Sequence, residues 1–295
     1  MARLGPESDE PFVRIDDVDP GAPLAALPPL DTDLDQVRFV ALDCETTGQS
    51  PHRLVELGAV AFTLTGHLAS FETLVHSNDR INPFAQRIHR ISATSLAGAP
   101  RIDQVLERFL HFAAGAVLVE HSADAFDTRL IAKSLGERFQ VINLDTSRMA
   151  GRLWDLRDTI GLERLCRELG VTHRGPHHAL GDAEATAACF LKLLELGRET
   201  HGWGSLRRLV EDAQPPPPRY VLLAEAAAAR VRDGHDRAPA PSADGSVAGA
   251  AGRRRRRGGR RRRGTAEPGG GAHAHDNPDP NSTGQPPAMP PPSDG

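Results

Sequence analysis

The stretch that most constrains this chain is Val37–Gly48, Val-Arg-Phe-Val-Ala-Leu-Asp-Cys-Glu-Thr-Thr-Gly. Val37–Leu42 is mostly apolar and rich in β-branched residues, the pattern of a strand buried on both faces. Asp43 and Glu45 stand at its C-terminal end. In an extended chain residues i and i+2 share a face, about 6.6 Å apart at the rise of a strand. The two carboxylates therefore point the same way and can share a cation, while Cys44 faces the other side. Two acids at the rim of a buried sheet cost folding free energy unless something positive compensates them. Alone, an Asp-x-Glu is as well explained by a strand end with two solvated acids.

Charge divides the chain into three. Residues 1–35 carry nine acids against Arg3 and Arg14, with six prolines, and predict a disordered acidic tail on which only Leu24, Leu27 and Leu30 suggest docking. Residues 213–295 carry thirteen arginines against eight acids in a Pro-, Gly- and Ala-rich background, and predict a second disordered tail. Residues 36–212 are near neutral and apolar enough for one core. Cys44, Cys166 and Cys189 have no C-x-x-C spacing, which fits a reduced cytoplasmic protein and excludes a disulfide scaffold or zinc module. No signal peptide is recognisable, and no uncharged apolar run approaches the roughly 20 residues of a membrane span, so no membrane partner is expected.

Patterning predicts strands at 37–42, 53–64 and 68–76, joined by short links as an antiparallel meander. An irregular connection over 82–99 follows, then a helix from Pro100 to Ala113. A strand at 116–119, a helix at 122–136, a strand at 141–144 and helices at 159–170 and 180–196 complete the middle. The order gives an α/β fold, a mixed sheet with helices packed on it. Pro215–Pro218 ends the folded part, and 220–232 is read as one short helix.

Two further acidic segments matter: Glu120-His121-Ser122-Ala123-Asp124-Ala125-Phe126-Asp127, running from a strand into a helix, and His177-His178-Ala179-Leu180-Gly181-Asp182, before a long helix. Both put acids where an element ends, the usual place of site residues in an α/β sheet. Singly, Asp127 and Asp182 are ordinary first-turn acids favoured by the helix dipole, and the histidines ordinary loop residues.

In this order and spacing, Asp-x-Glu-Thr-Thr-Gly, Phe-Asp opening a helix and His-x-Ala-x-x-Asp-Ala resemble the three motifs of the DnaQ-like 3′–5′ exonucleases in their histidine-bearing branch, which includes the proofreading epsilon subunit of DNA polymerase III. The resemblance spans roughly residues 36–200 and takes in Val55-Glu56-Leu57-Gly58-Ala59-Val60 and Ile88-His89-Arg90-Ile91. It implies a ribonuclease H-like sheet with helices on both faces. It implies that Asp43, Glu45, Asp127 and Asp182 hold two Mg²⁺ or Mn²⁺ ions, and that His177 is the general base, with His178 a bystander. By similarity Thr46, Thr47, His89 and Phe126 cradle the terminal nucleotide. The substrate implied is the single-stranded 3′ end of DNA, with a DNA polymerase as a candidate partner; the alternatives are RNA as substrate, or a nucleic-acid- or polymerase-binding module with a silent active site. The branch that uses tyrosine is excluded, because the single tyrosine, Tyr220, lies beyond the last acid.

The sequence departs from the pattern twice. Asp127 lies six residues after His121, where the family commonly has five, so either a residue is absorbed at the junction or Asp124 is the ligand. The register of Phe126-Asp127-Thr128-Arg129-Leu130-Ile131 favours Asp127. Arg90 replaces the small residue, usually glycine, that follows the histidine corresponding to His89.

Nine arginines fall within residues 253–263 with no interleaved aromatic, a pattern suited to sequence-blind contact with a nucleic-acid backbone and not to base stacking. Deleting residues 250–265 is therefore expected to weaken nucleic-acid binding at low salt and to flatten its salt dependence in a gel-shift titration; unchanged affinity would remove the tail from the interface.

Overall fold

Short apolar runs bounded by turn residues supply the central strands of one mixed sheet. The computed structural model describes residues 12–13 and 17–216, apart from 123. Most of the C-terminal tail, including the expected helix at 220–232 and both arginine clusters, lies outside the described residues.

The strands are β1 (Phe12–Val13), β2 (Phe39–Thr46), β3 (Leu54–Thr63), β4 (Gly66–Leu74), β5 (Val117–Glu120) and β6 (Asn143–Asp145), arranged in the order β1-β4-β3-β2-β5-β6. β2, β3 and β4 form the expected antiparallel meander, while β5 runs parallel to β2 and β6 parallel to β5. The C-terminal ends of β2, β5 and β6 therefore share one edge of the sheet.

Alternation along β2 splits the core. Phe39 and Ala41 face one layer, Val40 and Leu42 the other. The first layer is covered by α5 (Thr146–Trp154), α6 (Leu162–Leu169), α7 (Ala179–Thr200) and α8 (Leu206–Ala213), and is centred on Phe39, Phe62 and Phe190, with the Phe39 and Phe190 rings 5.0 Å apart. The second is covered by α3 (Ile102–Phe112) and α4 (Phe126–Leu135), through Val105, Leu106, Phe109 and Ile131. Helices on both faces of a mixed sheet are the ribonuclease H-like class that the motifs imply.

The structure corrects the sequence reading in four places. First, β1 pairs with β4, and Leu30 to Leu34 contact the fold. Leu34 is buried, Leu30 packs on the core and its carbonyl accepts the Arg207 N–H at 3.0 Å, and Asp33 bridges to Ser205. Prolines and acids oppose a helix there, but an extended strip still satisfies its backbone against neighbouring loops. Second, the connection over 82–99 contains α1 (Pro83–His89) and α2 (Ala93–Leu96). The Asn, Pro and Ser that read as breaks are their caps: Asn82 accepts the Phe84 N–H, Pro83 opens α1 and Ser92 forms a capping box with Ser95. Third, α5 and α8 occupy stretches to which patterning assigns nothing. Fourth, β2 continues through both carboxylates to Thr46.

Tight contacts position α7. Gly197 lies where a Cβ would stand 1.9 Å from the ring of Trp203, which is fully buried and donates from Nε1 to Asp212 at 2.9 Å. Gly197→Ala should therefore displace the indole and destabilise the fold by about 1–3 kcal/mol, measured by urea unfolding followed through tryptophan emission.

Candidate active site

The site forms where β2 ends. Asp43 and Glu45 project on the side covered by α7, whose first turn carries Asp182, and single oxygen atoms of Asp43, Glu45 and Asp182 all lie within 4.8 Å of one another. Asp127 arrives from the other face in the first turn of α4. It is buried and hydrogen-bonded to the Cys44 thiol, which the strand alternation turns toward α4. Asp124, the alternative in the second motif, is exposed and paired with Arg129. Ala125 takes the left-handed conformation (φ 59°) just before α4, and Ser122 Oγ accepts the Phe126 N–H at 3.0 Å. The chain thus turns sharply at the point where the sequence has a residue to spare.

Close packing of acids raises their affinity for protons. Asp43 is pushed well up by burial and by the charges of Asp127, Asp182, Glu45 and Glu56. Asp127 is raised by burial and by Glu120, against the hydrogen bond from Cys44. Burial, Asp182 and Glu56 raise Glu45 to about 8, with His178 acting in the opposite sense. Glu120, which sequence reasoning did not single out, is fully buried at the end of β5. It accepts the Thr128 N–H at 3.1 Å and a short hydrogen bond from Asn143, while burial raises it to about 7. It braces α4 against the sheet. A cluster of hard carboxylate oxygens is suited to a divalent cation.

Three histidines surround Asp182. His173 Nε2 lies 2.5 Å from Asp182 Oδ1, a contact with no signal in the motif spacing. His177 donates its backbone N–H to Asp182 Oδ2 at 3.1 Å from a left-handed conformation (φ 63°), and its side chain is exposed. His178 Nδ1 lies 3.0 Å from Glu72 Oε1 and Nε2 3.9 Å from Glu56 Oε1, two acids that the sequence displays only as polar positions in strands.

The four residues expected at the nucleotide have these surroundings. Thr46 Oγ1 accepts the Gly48 N–H at 3.1 Å, and Thr47 is buried, accepting the Arg53 N–H on Oγ1 and the Asn82 N–H on its carbonyl. His89 is buried, with Nδ1 accepting the Ile91 N–H at 3.0 Å. Arg90 adopts φ 60° as the left-handed cap of α1, the conformation that glycine takes most readily. Phe126 is half-buried and meets His52 edge-on, with ring centroids 5.2 Å apart.

A strand end and two helix starts thus bring acids together at one end of a mixed sheet, and the grouped oxygens of Asp43, Glu45 and Asp182 could hold a metal ion. Residues 40–190 match the exonuclease family, and the chain belongs to that family. It is 30% identical to the DNA polymerase III subunit epsilon of Treponema pallidum, over 64% of this chain and 88% of that protein. It is also 37% identical to a PolC-type DNA polymerase III of Caldanaerobacter subterraneus subsp. tengcongensis and 36% identical to a DNA polymerase III subunit epsilon-like protein of Rhodobacter capsulatus. These two matches take in 53% and 56% of this chain but only 12% and 25% of the relatives' own lengths. Among the described residues no helix is long and apolar enough to cross a membrane.

The raised carboxylates set a sign for stability. A carboxyl that titrates higher when folded holds its proton in the native state, so its contribution is full below its ordinary value and is lost as pH rises through the folded one. With EDTA present, the wild type should lose melting temperature relative to Glu45→Gln as pH rises from about 4.5 to above 8, the ordinary and shifted values of Glu45. Magnesium added at the upper end should restore it, and parallel melting curves for the two proteins would contradict the shift.

Proposed function

We propose that this chain is a divalent-metal-dependent 3′–5′ exonuclease that releases 5′-mononucleotides from single-stranded 3′ ends of DNA. The observation that carries this reading is the convergence of acids from β2, α4 and α7 at one sheet edge, in a chain of the exonuclease family. Asp43, Glu45, Asp127 and Asp182 would hold two Mg²⁺ or Mn²⁺ ions. Such ions, when bound, lower the pKa of water and neutralise the charge that develops on a phosphodiester.

The protein's own groups divide the remaining work. His177, whose backbone N–H is tied to Asp182, keeps an exposed imidazole beside the pocket and is the general base in this reading. His173, committed to Asp182 Oδ1, orients that carboxylate. Thr46, Thr47, His89 and Phe126 form the cradle for the terminal nucleotide, with Phe126 supplying aromatic surface. The epsilon-type names of similar proteins support a DNA polymerase as partner and a proofreading role in the cytoplasm. The arginine clusters would add non-specific hold on nucleic acid.

On a 3′-mismatched, labelled primer with Mg²⁺, the wild type should shorten the strand and Asp43→Ala should not. His177→Ala should lower kcat by about 10²–10⁴ with Mn²⁺ affinity nearly unchanged, whereas His173→Ala should weaken Mn²⁺ binding itself. Faster release from a matched RNA strand would reassign the substrate, and no release from either would overturn the activity.

A further inference from the structure

β3 is buried along its length except at Thr63, yet it contains a fully buried glutamate, Glu56. A carboxylate in such a strand is destabilising unless its oxygens have partners. Two of its partners are at the start of α7. Oε2 accepts the N–H of Ala179 at 3.2 Å, and Oε1 lies 3.9 Å from Nε2 of His178. His178 is the N-cap residue of α7 but makes no side-chain cap of its own; its Nδ1 instead lies 3.0 Å from Glu72 on the adjoining strand. The first N–H groups of a helix lack intrahelical acceptors. At α7 one of those acceptors comes from a strand 123 residues away.

The same strand supplies a slot. Gly58 shares a face with Glu56, and a Cβ there would stand 2.2 Å from the backbone of Ala179 and Leu180. On the opposite side, a Cβ on Gly181 would stand 2.3 Å from the carbonyl of Arg174. The first turn of α7 is therefore gripped between β3 and the 174–175 loop, and the next residue is Asp182.

We propose that Glu56, braced by His178 and Glu72, is a positioning residue that sets the depth and rotation of the first turn of α7 and so places Asp182 against Asp43 and Glu45. Glu56 also stands directly across the β2–β3 pair from Glu45, and its charge is one cause of the raised Glu45, which His178 offsets. Held on the helix start, that charge faces the positive end of the helix dipole. The inference rests on the reading of Asp43, Glu45 and Asp182 as metal ligands, and its test separates the two.

Glu56→Gln keeps an oxygen that can accept the Ala179 N–H; Glu56→Met fills the same volume without one. Hydrogen–deuterium exchange over residues 177–184, measured with EDTA, should be near wild type in Glu56→Gln and at least tenfold faster in Glu56→Met, with exchange in α3 unchanged. Mn²⁺ binding followed by electron paramagnetic resonance should weaken about 10–100-fold in Glu56→Met and stay within about threefold in Glu56→Gln. His178→Ala, at a half-exposed position, should shift both readouts in the same direction as Glu56→Met and decides the question if that variant does not fold. Equal behaviour of the Gln and Met variants, or loss of melting temperature with no local change at 177–184, would overturn the proposal. If the wild type neither binds Mn²⁺ nor shortens DNA, the proposed function falls, and the exchange rates alone then decide whether Glu56 positions α7.

Discussion

Gathering Asp43, Glu45, Asp127 and Asp182 at one sheet edge is electrostatically unfavourable, and much of the surrounding architecture offsets that repulsion. Two of the acids sit in the first turns of α4 and α7, where free N–H groups and the helix dipole favour negative charge. The other two end a strand whose remaining residues are locked into the core on both faces. Two of the acids are held in place by partners: Asp127 by Cys44, and Asp182 by His173 and the His177 backbone. A cation then meets a preformed set of oxygens instead of having to order them, which is what makes such a cluster useful for binding a metal.

A second tier of buried carboxylates does the tying elsewhere. Glu120 joins β5 to α4 through Thr128 and to β6 through Asn143. Asp145 accepts the Ser122 N–H and caps α5 through Arg148. Asp212 takes the Trp203 indole and pairs with Arg152 and Arg208. In each case the acid satisfies groups on two elements distant in sequence, so truncating it would leave a buried donor without its acceptor. The fold uses buried anions as staples.

Much of this was legible in the sequence. Strands that are apolar along their whole length, and helices with an apolar face, follow from local pattern, and so did the meander, α3, α6 and α7. The i, i+2 spacing of Asp43 and Glu45 already put both on one face. What escaped is non-local or too short to have a period. α1 and α2 are built from caps, the same residues that mark loops. His173 precedes Asp182 by nine residues in an irregular segment, so no spacing rule joins them. Glu56 reads as a polar interruption of an apolar strand, because its acceptor role depends on a helix start more than a hundred residues later. The strip before β2 carries the composition of a tail, and only the grooves it meets make it ordered.

The third motif itself acquires a physical account from α7. Ala179 is fully buried with its backbone seated over Gly58, a separation at which β3 has no room for a side chain. Two residues earlier, the left-handed turn at His177 brings its N–H to Asp182 and leaves the residue exposed. Three residues after Ala179, one helical turn returns Asp182 toward the strand end that carries Asp43 and Glu45. The spacing His-x-Ala-x-x-Asp is thus the pitch of one helix turn measured from a fixed contact point. Shifting that contact by one residue would rotate Asp182 by roughly 100° about the helix axis, away from the other acids. The close approach at Gly58 thus sets where Asp182 stands relative to Asp43 and Glu45.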